Sequence, residues 1–172
     1  MSDWTNLSRQ GQIYSIANVS AKSVIAVTTA MTGVILYNPV GSGKQYAILD
    51  VGFAWTTAPA AVHNLGIAIG PSSAAPTSLT AIGSGVKALN GLGNNFSSLA
   101  GGYDAATFAV APVACRWFGG GVYGSAAGES PFLMVDKVDG AICLSPGTFA
   151  CLTAVTTTAV GIGHMTWAEF DA

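Results

Sequence analysis

Residues 32–56 read TGVILYNPVGSGKQYAILDVGFAWT, and this stretch decides the fold class. Two apolar runs flank the linker NPVGSG, in which Asn, Pro and Gly residues end strands and permit positive φ angles. Alternate residues of the second run share one face of an extended strand, as a period of two requires. The predicted inward face carries Ala47, Leu49, Val51, Phe53 and Trp55. The stretch therefore predicts a β-hairpin with one face in a core.

Strand patterns recur through most of the remaining sequence. Residues 63–70 alternate cleanly, with Leu65, Ile67 and Ile69 on one face. Asp139-Gly140 supplies the positive φ angles of a tight turn, so residues 131–144 predict a second hairpin. No apolar stripe of helical period persists over three turns, so no helix is predicted. About nine strands separated by Gly and Pro predict an all-β, single-domain β-sandwich of the jelly-roll type.

Two segments fall outside the strand pattern, and the rest of residues 11–172 form the sandwich domain. Residues 1–10 are a polar N-terminal arm carrying Trp4, which suits either an anchor that docks on another surface or a frayed tail. Residues 71–104 are rich in Gly, Ser and Ala and predict a long loop. Such a loop either carries a short helical turn near residues 79–89 or is ordered by a partner.

The chain has few charges for a soluble protein. Charged residues make up 8% of the sequence, against a usual share of about 25%, and mean hydropathy is +0.51. A monomer of this composition would expose larger apolar patches than monomers normally carry. We therefore expect neighbouring copies to cover part of the exterior, and we predict a stable homotrimer.

The composition also argues against several other partners. No uninterrupted apolar run approaches the roughly 18 residues of a membrane-spanning helix. The start, MSDWTNLSRQ, lacks the basic and apolar regions of a secretory signal, so synthesis in the cytoplasm without export is expected. Net charge is −2 and the six basic residues are scattered, which leaves no stripe to neutralise phosphates. We expect neither a membrane nor a nucleic acid as a direct partner.

Catalytic motifs are not recognisable in the sequence. Residues 41–44, GSGK, end like a phosphate-binding loop, but Asn38 stands where that motif needs Gly and Gln45 where it needs Ser or Thr. A hairpin turn accounts for the same residues. His63 and His164 lie outside any nucleophile motif and are predicted to be structural or interfacial. The sequence therefore predicts no enzyme and no cofactor.

The acids and thiols are predicted to have no chemical role. Solvated turn and terminal positions are the preferred interpretation of the acidic pairs, with a weak calcium site at the first pair as the minor alternative. Three cysteines cannot all pair internally, and their spacing matches neither a zinc site nor a redox motif, so we predict buried, reduced thiols. The acidic pairs are Asp136 with Asp139 and Glu169 with Asp171, and the thiols are Cys115, Cys143 and Cys151.

Three sequence segments carry a resemblance to a known class of proteins. The linker NPVGSGK, the segment PGTFACLTA (residues 146–154) and the closing HMTWAEF (residues 164–170) resemble small accessory capsid proteins of tailed bacteriophages, of the decoration, cement or head-fibre type. Many of those proteins are jelly rolls that trimerise. The resemblance implies a non-enzymatic virion component made in the host cytoplasm, and it transfers no catalytic residues.

These observations predict a viral structural protein that decorates or stabilises a phage particle by binding itself and a major capsid or other virion protein. The alternative is a receptor- or carbohydrate-binding module of a fibre or tail, with Trp55, Trp117, Tyr103 and Tyr123 as candidate sugar platforms. For attachment we predict the arm and the long loop, because loops on a rigid sandwich usually carry binding. The predicted interface residues are Trp4, Leu79, Ile82, Leu89, Leu92, Phe96 and Leu99.

Overall fold

The computed structural model describes residues 4–57, 63–72, 74–82, 89–90, 98–121, 133–155 and 158–172. These residues form twelve strands and one short helix, so the predicted all-β sandwich is confirmed. The elements are α1 (Trp4–Arg9), β1 (Ile13–Ala17), β2 (Lys22–Val24), β3 (Ala30–Asn38), β4 (Lys44–Trp55), β5 (His63–Pro71), β6 (Thr77–Ala81), β7 (Leu89–Asn90), β8 (Gly101–Thr107), β9 (Val113–Gly121), β10 (Leu133–Leu144), β11 (Thr148–Ala154) and β12 (Ala159–Asp171).

The strands form two antiparallel sheets that pack face to face. Sheet A has the order β10-β4-β12-β1-β7, and β2 also pairs with β12, beyond the end of β1. Sheet B has the order β6-β8-β3-β11-β5-β9. The main core lies between the sheets and includes Phe53, Leu65, Ile67 and Trp167, none of which is exposed. Leu65 and Ile67 therefore face inward as their alternation predicted.

The long strands pair as if the chain were folded back on itself. The strands β1, β3, β4 and β5 pair with β12, β11, β10 and β9, respectively, in reverse order of sequence. Each such pair is antiparallel, and successive pairs alternate between sheet A and sheet B. The connections between the long strands therefore cross from one sheet to the other.

The crossing between β3 and β4 corrects the predicted hairpin. Both strands exist close to the predicted positions, but β3 pairs with β8 and β11 in sheet B, whereas β4 pairs with β10 and β12 in sheet A. The linker NPVGSG is thus a corner between sheets and not a hairpin turn. Gly41 and Gly43 do adopt positive φ angles, of 76° and 65°, so the local signal was right and its tertiary meaning was different.

A fully buried asparagine holds this corner. Asn38 Nδ2 donates hydrogen bonds to Lys44 O at 2.7 Å and to Leu144 O at 2.9 Å, and its Oδ1 accepts one from Ser42 Oγ at 2.6 Å. Gly147 N donates to Asn38 O at 2.8 Å. One side chain therefore ties the end of β3 to the start of β4 and to the end of β10, where backbone carbonyls would otherwise be unpaired.

A β-bulge corrects the predicted inward face of β4. On β12, Thr166 pairs with Asp50 and Trp167 with Ile48, so Leu49 is the extra residue. Beyond the bulge, the predicted residues Val51, Phe53 and Trp55 face the core as expected. Before it the phase is reversed, because an extra residue turns every preceding side chain to the opposite face. The inward residues there are Tyr46 and Ile48, and Ala47 and Leu49 were assigned wrongly.

The segment predicted to form the second hairpin contains a bulge within one strand and no hairpin turn. Strand β10 pairs with β4 along its whole length, with an irregularity between Lys137 and Ile142. Asp139 and Gly140 have φ angles of 50° and 80°, as the Asp-Gly signal predicted. The positive φ angles here let an edge strand bulge outward and do not reverse the chain.

The predicted long loop of residues 71–104 contains strands instead. In its described part, β6 pairs with β8, and β8 extends sheet B beyond β3. β7 pairs with β1 and extends sheet A. The insertion between β5 and β9 therefore widens both sheets, and the helical turn suggested near residues 79–89 is replaced at Thr77–Ala81 by strand β6. The apolar–polar alternation of a strand was not visible in β6, because its small residues are compatible with either a strand or a helical turn.

A second apolar layer covers the outer face of sheet B. Residues 108–112 connect β8 with β9 and run across β3, β11 and β5. The ring of Phe108 stacks on that of Phe149 with centroids 3.4 Å apart, and Phe108 N donates to Thr29 O. This strap explains why both faces of β3 and β11 are apolar. Phe108 of the strap and the sheet residues beneath it form one buried cluster, whose other members are Met31, Ile35, Tyr37, Ala68, Ala106, Phe149 and Cys151.

We predict that replacing Asn38 with Ala destabilises the protein by about 1–3 kcal/mol, because the buried Leu144 O loses its side-chain donor and Lys44 O keeps only the longer hydrogen bond from Ser42 Oγ. Val40→Ala in the same corner is the matched control, since Val40 is 60% exposed, and it should change stability by less than about 0.5 kcal/mol. Urea unfolding of the three proteins measures both effects. Equal midpoints for Asn38→Ala and Val40→Ala would show that Asn38 does not hold the corner.

Candidate functional site

The structure separates the residues predicted to contact a partner. Leu79 and Leu99 are 46% and 58% exposed and remain available for contact. Ile82 is wrongly assigned, because it is 1% exposed and packs in the core between the sheets. Leu89 begins β7, and Leu92 and Phe96 lie outside the described residues. The remaining predicted residue, Trp4, lies in a pocket on the protein's own surface.

Residues 4–10 of the N-terminal arm are ordered on sheet A and are not a free tail. Residues Trp4–Arg9 form α1, contrary to the expectation of no helix. A Cβ built on Gly140 would lie 3.2 Å from Trp4 Cη2 and 3.8 Å from Ala47 Cβ, so the indole sits beside the bulge of β10. This contact explains why the outward-facing Ala47 is nevertheless buried. Packing against a sheet, more than helix propensity, stabilises so short a helix.

A pocket of about 600 Å³ lies between α1 and the end of β12. We call it the α1 pocket, and it is lined by Trp4, Asn6, Leu7, Gln10 and Phe170. Two rings and one leucine provide apolar walls, while two carboxamides provide both hydrogen-bond donors and acceptors. The lining therefore suits a ligand that has apolar and uncharged polar groups together.

The charges nearest the chain end neutralise each other. Lys44 Nζ lies 2.6 Å from Asp171 Oδ1 across the β4–β12 pair. Their hydrogen bond raises the pKa of Lys44 and lowers the pKa of Asp171. Asp171 is exposed, as the sequence predicted for a terminal acid. An exposed pair of this kind contributes little to stability. The nearby Glu169 charge also raises the pKa of Lys44.

Glu169 corrects the expectation that the terminal acids are solvated. It is 7% exposed, and its Oε1 accepts hydrogen bonds from Trp167 Nε1 at 3.1 Å and from Ser98 Oγ. Burial and the nearby Glu169 charge raise the pKa of Tyr14 and of Tyr46. The carboxylate thus joins the last strand to the residues that precede β8, and it does so inside the sandwich, away from the α1 pocket lining.

A second buried carboxylate joins the two sheets. Asn18 Nδ2 donates to Asp104 Oδ1 at 2.7 Å, and Asn18 Oδ1 accepts from Gly163 N at 3.0 Å. Lys22 Nζ lies 3.0 Å from Asp104 Oδ2 and compensates its charge. Because Gly163 belongs to sheet A and Asp104 to sheet B, this network is a structural link between the sheets.

A polar row crosses the outer face of sheet A. Ser15, Thr166, Asp50 and Lys137 are direct neighbours on β1, β12, β4 and β10. His164 Nε2 lies 3.4 Å from Asp50 Oδ1, and hydrogen bonds from His164 and Thr166 lower the pKa of Asp50. Ser15 Oγ lies 3.2 Å from Thr166 Oγ1. His164 is thus a hydrogen-bond partner of Asp50 on the outer face of sheet A.

Exposed apolar side chains gather where the edge strands β9 and β10 meet. Val113 and Leu133 are 70% and 61% exposed, and Val135 and Trp117 are about half exposed. Between the two strands, Arg116 binds Asp136 in a bidentate ion pair, with Nη2 3.0 Å from Oδ1. Asp136 was predicted to be a solvated turn residue, but it lies inside this pair.

The cysteines differ from the prediction that all three are buried. Cys151 is buried under the strap, but Cys115 and Cys143 are exposed on β9 and β10. The last two line one cleft of about 430 Å³ together with Ile69, Arg116, Ala141 and Ile142. All three thiols are free, and burial raises the pKa of each. Strand position predicted burial, whereas edge strands leave alternate side chains exposed.

The aromatic residues predicted as sugar platforms differ in exposure. Trp55 is 5% exposed and belongs to the core, so it is excluded as a platform. Tyr103 is partly buried against the cluster under the strap. Trp117 is 49% exposed and lies over Gly66, where a Cβ would be only 2.6 Å from its ring. Tyr123 lies outside the described residues.

The α1 pocket is the feature that the sequence did not predict. Trp4 was singled out, but its neighbour Phe170 is the third residue from the end of the printed sequence, and no local pattern connects them. Asn6 and Gln10 are four residues apart, which is the spacing of one helical turn. That spacing was the available signal, and a six-residue helix is too short for a periodic pattern to establish.

We predict that iodoacetamide modifies Cys115 and Cys143 in the native protein and modifies Cys151 only after unfolding, because the first two are exposed and the third is buried. The reaction should be slow at neutral pH and accelerate in alkaline solution, since the raised pKa values leave little thiolate at pH 7. Mass spectrometry of native and urea-unfolded samples counts the adducts. Native modification of Cys151 at the rate of Cys143 would contradict the strap.

Within the described residues, no helix is long and apolar enough to cross a membrane, and no three His, Cys, Asp or Glu side chains are grouped to hold a metal ion. The weak calcium site suggested at Asp136 and Asp139 is not supported, because Asp136 already binds Arg116. Comparisons with protein-family models, with curated proteins and with solved structures found no match.

Proposed function

We propose that the protein is a viral structural protein that decorates or stabilises a phage particle, binding copies of itself and a capsid or other virion protein. One observation carries the proposal: many large apolar side chains are exposed on a rigid, sparsely charged sandwich. In the described residues these are Val19, Val27, Val40, Leu79, Leu99, Val110, Val113, Trp117, Leu133, Val135, Val155 and Ile162. The resemblance of the linker and the two C-terminal segments to accessory capsid proteins is the reason for proposing a phage particle as the partner.

The distribution of these side chains supports contact with other proteins. Four of them, Val113, Trp117, Leu133 and Val135, lie on the two edge strands at one side of the sandwich. Leu79 and Leu99 belong to the insertion at the opposite side. Interfaces are enriched in exposed apolar and aromatic side chains and depleted in charge at their centre. Two separate apolar sides suit a subunit that meets more than one neighbour.

The strand order supports assignment of the sandwich to the jelly rolls. The long strands β1-β12-β4-β10 in sheet A face β3-β11-β5-β9 in sheet B. Eight strands whose first and second halves pair in reverse order form two Greek keys, as in the jelly-roll arrangement. The fold alone does not determine function, but it is the one that the resemblance implies.

We predict a homotrimer in solution, with three times the 17.3 kDa mass of one chain, because association removes exposed apolar area from water. Multi-angle light scattering at micromolar concentration and physiological salt measures the mass. A monodisperse monomer would contradict self-association.

Attachment to the particle requires a separate experiment. Purified particles that lack the protein are mixed with wild type, with Leu79→Ser plus Leu99→Ser, or with Val113→Ser plus Val135→Ser, and are imaged after sedimentation. We expect the first double variant to stay trimeric and to lose attachment, because the insertion carries the predicted contact. Unchanged attachment by both double variants would place the contact elsewhere, and no attachment by wild type would contradict the proposal.

The second candidate function is a receptor- or carbohydrate-binding module of a fibre or tail. The α1 pocket favours it, because rings and carboxamides line the same concave site. A glycan array without any binder removes this candidate and leaves the first one intact.

A further inference from the structure

We propose that the α1 pocket binds a neutral saccharide, with Trp4 and Phe170 contacting the C–H face of a sugar ring and Asn6 and Gln10 hydrogen-bonding its hydroxyl groups. The inference rests on the second candidate function and is independent of the first. It assigns a ligand class and four contact residues to a site formed by the N-terminal arm and the end of β12.

The pocket has the size of a ligand site. Its volume of about 600 Å³ falls inside the range of roughly 300–1,000 Å³ that small-molecule sites occupy. Both walls are held by ordered structure. Trp4 lies beside Gly140 on β10, and Phe170 pairs with Gln45 across β12 and β4. The rings therefore need little ordering when a ligand arrives, which reduces the entropic cost of binding.

The two carboxamides are positioned to act together. Gln10 N donates to Asn6 O at 3.0 Å, so the helical turn continues to Gln10 and the two side chains project one turn apart on one side. Both side chains are exposed. Each carboxamide donates and accepts hydrogen bonds, and so does a sugar hydroxyl group, which makes the groups mutually complementary.

The absence of charge in the lining selects among ligand classes. The described lining contains no ionisable side chain, and the ion pair of Lys44 with Asp171 is self-neutralised. A phosphate or carboxylate ligand would therefore find no charge-assisted hydrogen bond in the lining. A wholly apolar ligand would desolvate Asn6 and Gln10 without pairing them, which costs free energy. A neutral saccharide meets both requirements because it has apolar ring faces and uncharged hydroxyl groups.

The test is saturation-transfer NMR on the full-length protein with three neutral probes, methyl β-D-glucopyranoside, methyl β-D-galactopyranoside and N-acetyl-D-glucosamine. Glucose 6-phosphate is the charged comparator. Probes are used at about 10 mM, which largely fills a site with a millimolar Kd. The variants are Trp4→Ala and the double variant Asn6→Ala plus Gln10→Ala. Asn64→Ala is the matched control, because it removes an exposed carboxamide on β5 of sheet B, outside the pocket lining.

We expect transfer to at least one neutral probe, its loss in Trp4→Ala and at least a tenfold weaker Kd in the carboxamide double variant, with Asn64→Ala unchanged. A tenfold change corresponds to about 1.4 kcal/mol, the size of one or two lost hydrogen bonds. If Trp4→Ala unfolds α1 by circular dichroism, the double variant decides, since its two positions are exposed and helix-compatible.

Three results would overturn the proposal: no transfer to any neutral probe, equal binding by wild type and the double variant, or loss of binding in Asn64→Ala alone. Light scattering on the double variant shows whether a change in sugar binding is accompanied by a change in self-association. A trimer that no longer binds sugar leaves assembly intact, whereas a monomer that still binds sugar removes only self-association.

Discussion

The fold depends on the burial of Asn38 at the corner where the chain leaves sheet B for sheet A. A chain that crosses between sheets must break its strand ladder, and the carbonyls at the break need donors. Asn38 supplies two hydrogen bonds from one side chain, to Lys44 O and Leu144 O, and so fixes the ends of three strands. The network of Asn18, Asp104 and Lys22 makes an analogous link between the sheets. Two apolar sheets are thus kept in register by a few buried polar groups, which are costly to leave unpaired.

Local patterns predicted which residues are extended, and they did not predict which strands are partners. The runs that became β3, β4 and β5 were identified from their apolar patterns and from Gly or Pro breaks, and these signals are local. The corner at Asn38 was interpreted as a hairpin, because its acceptor Leu144 O lies 106 positions away in sequence. The bulge at Leu49 reversed the phase of two residues for the same reason, since a bulge is defined by the opposite strand. Asp139-Gly140 was also interpreted as a hairpin turn, whereas its pairing partner β4 makes it a bulge within β10.

The surfaces were predicted only in part. Trp4 and the exposed Leu79 and Leu99 were identified because they are apolar residues in the two segments that showed no strand pattern. Ile82 was grouped with them wrongly, because burial depends on the sheet that the insertion joins. The α1 pocket required Trp4 and Phe170 to meet from opposite ends of the sequence, so only tertiary structure reveals it. A surface with little charge leaves hydrogen-bonding amides, rings and aliphatic side chains as its means of recognition, and both proposed functions use them.

The arrangement of β3 and β4 in opposite sheets is the central claim, and Hα–Hα nuclear Overhauser effects measured on the protonated protein in D2O test it most directly. The account predicts contacts that join β4 to β12 and β10, around Asp50 with Thr166 and Lys137, and contacts that join β3 to β11, around Tyr37 with Phe149. A ladder of contacts between β3 and β4 would contradict it, because such a ladder forms only if residues 32–56 fold as a hairpin within one sheet.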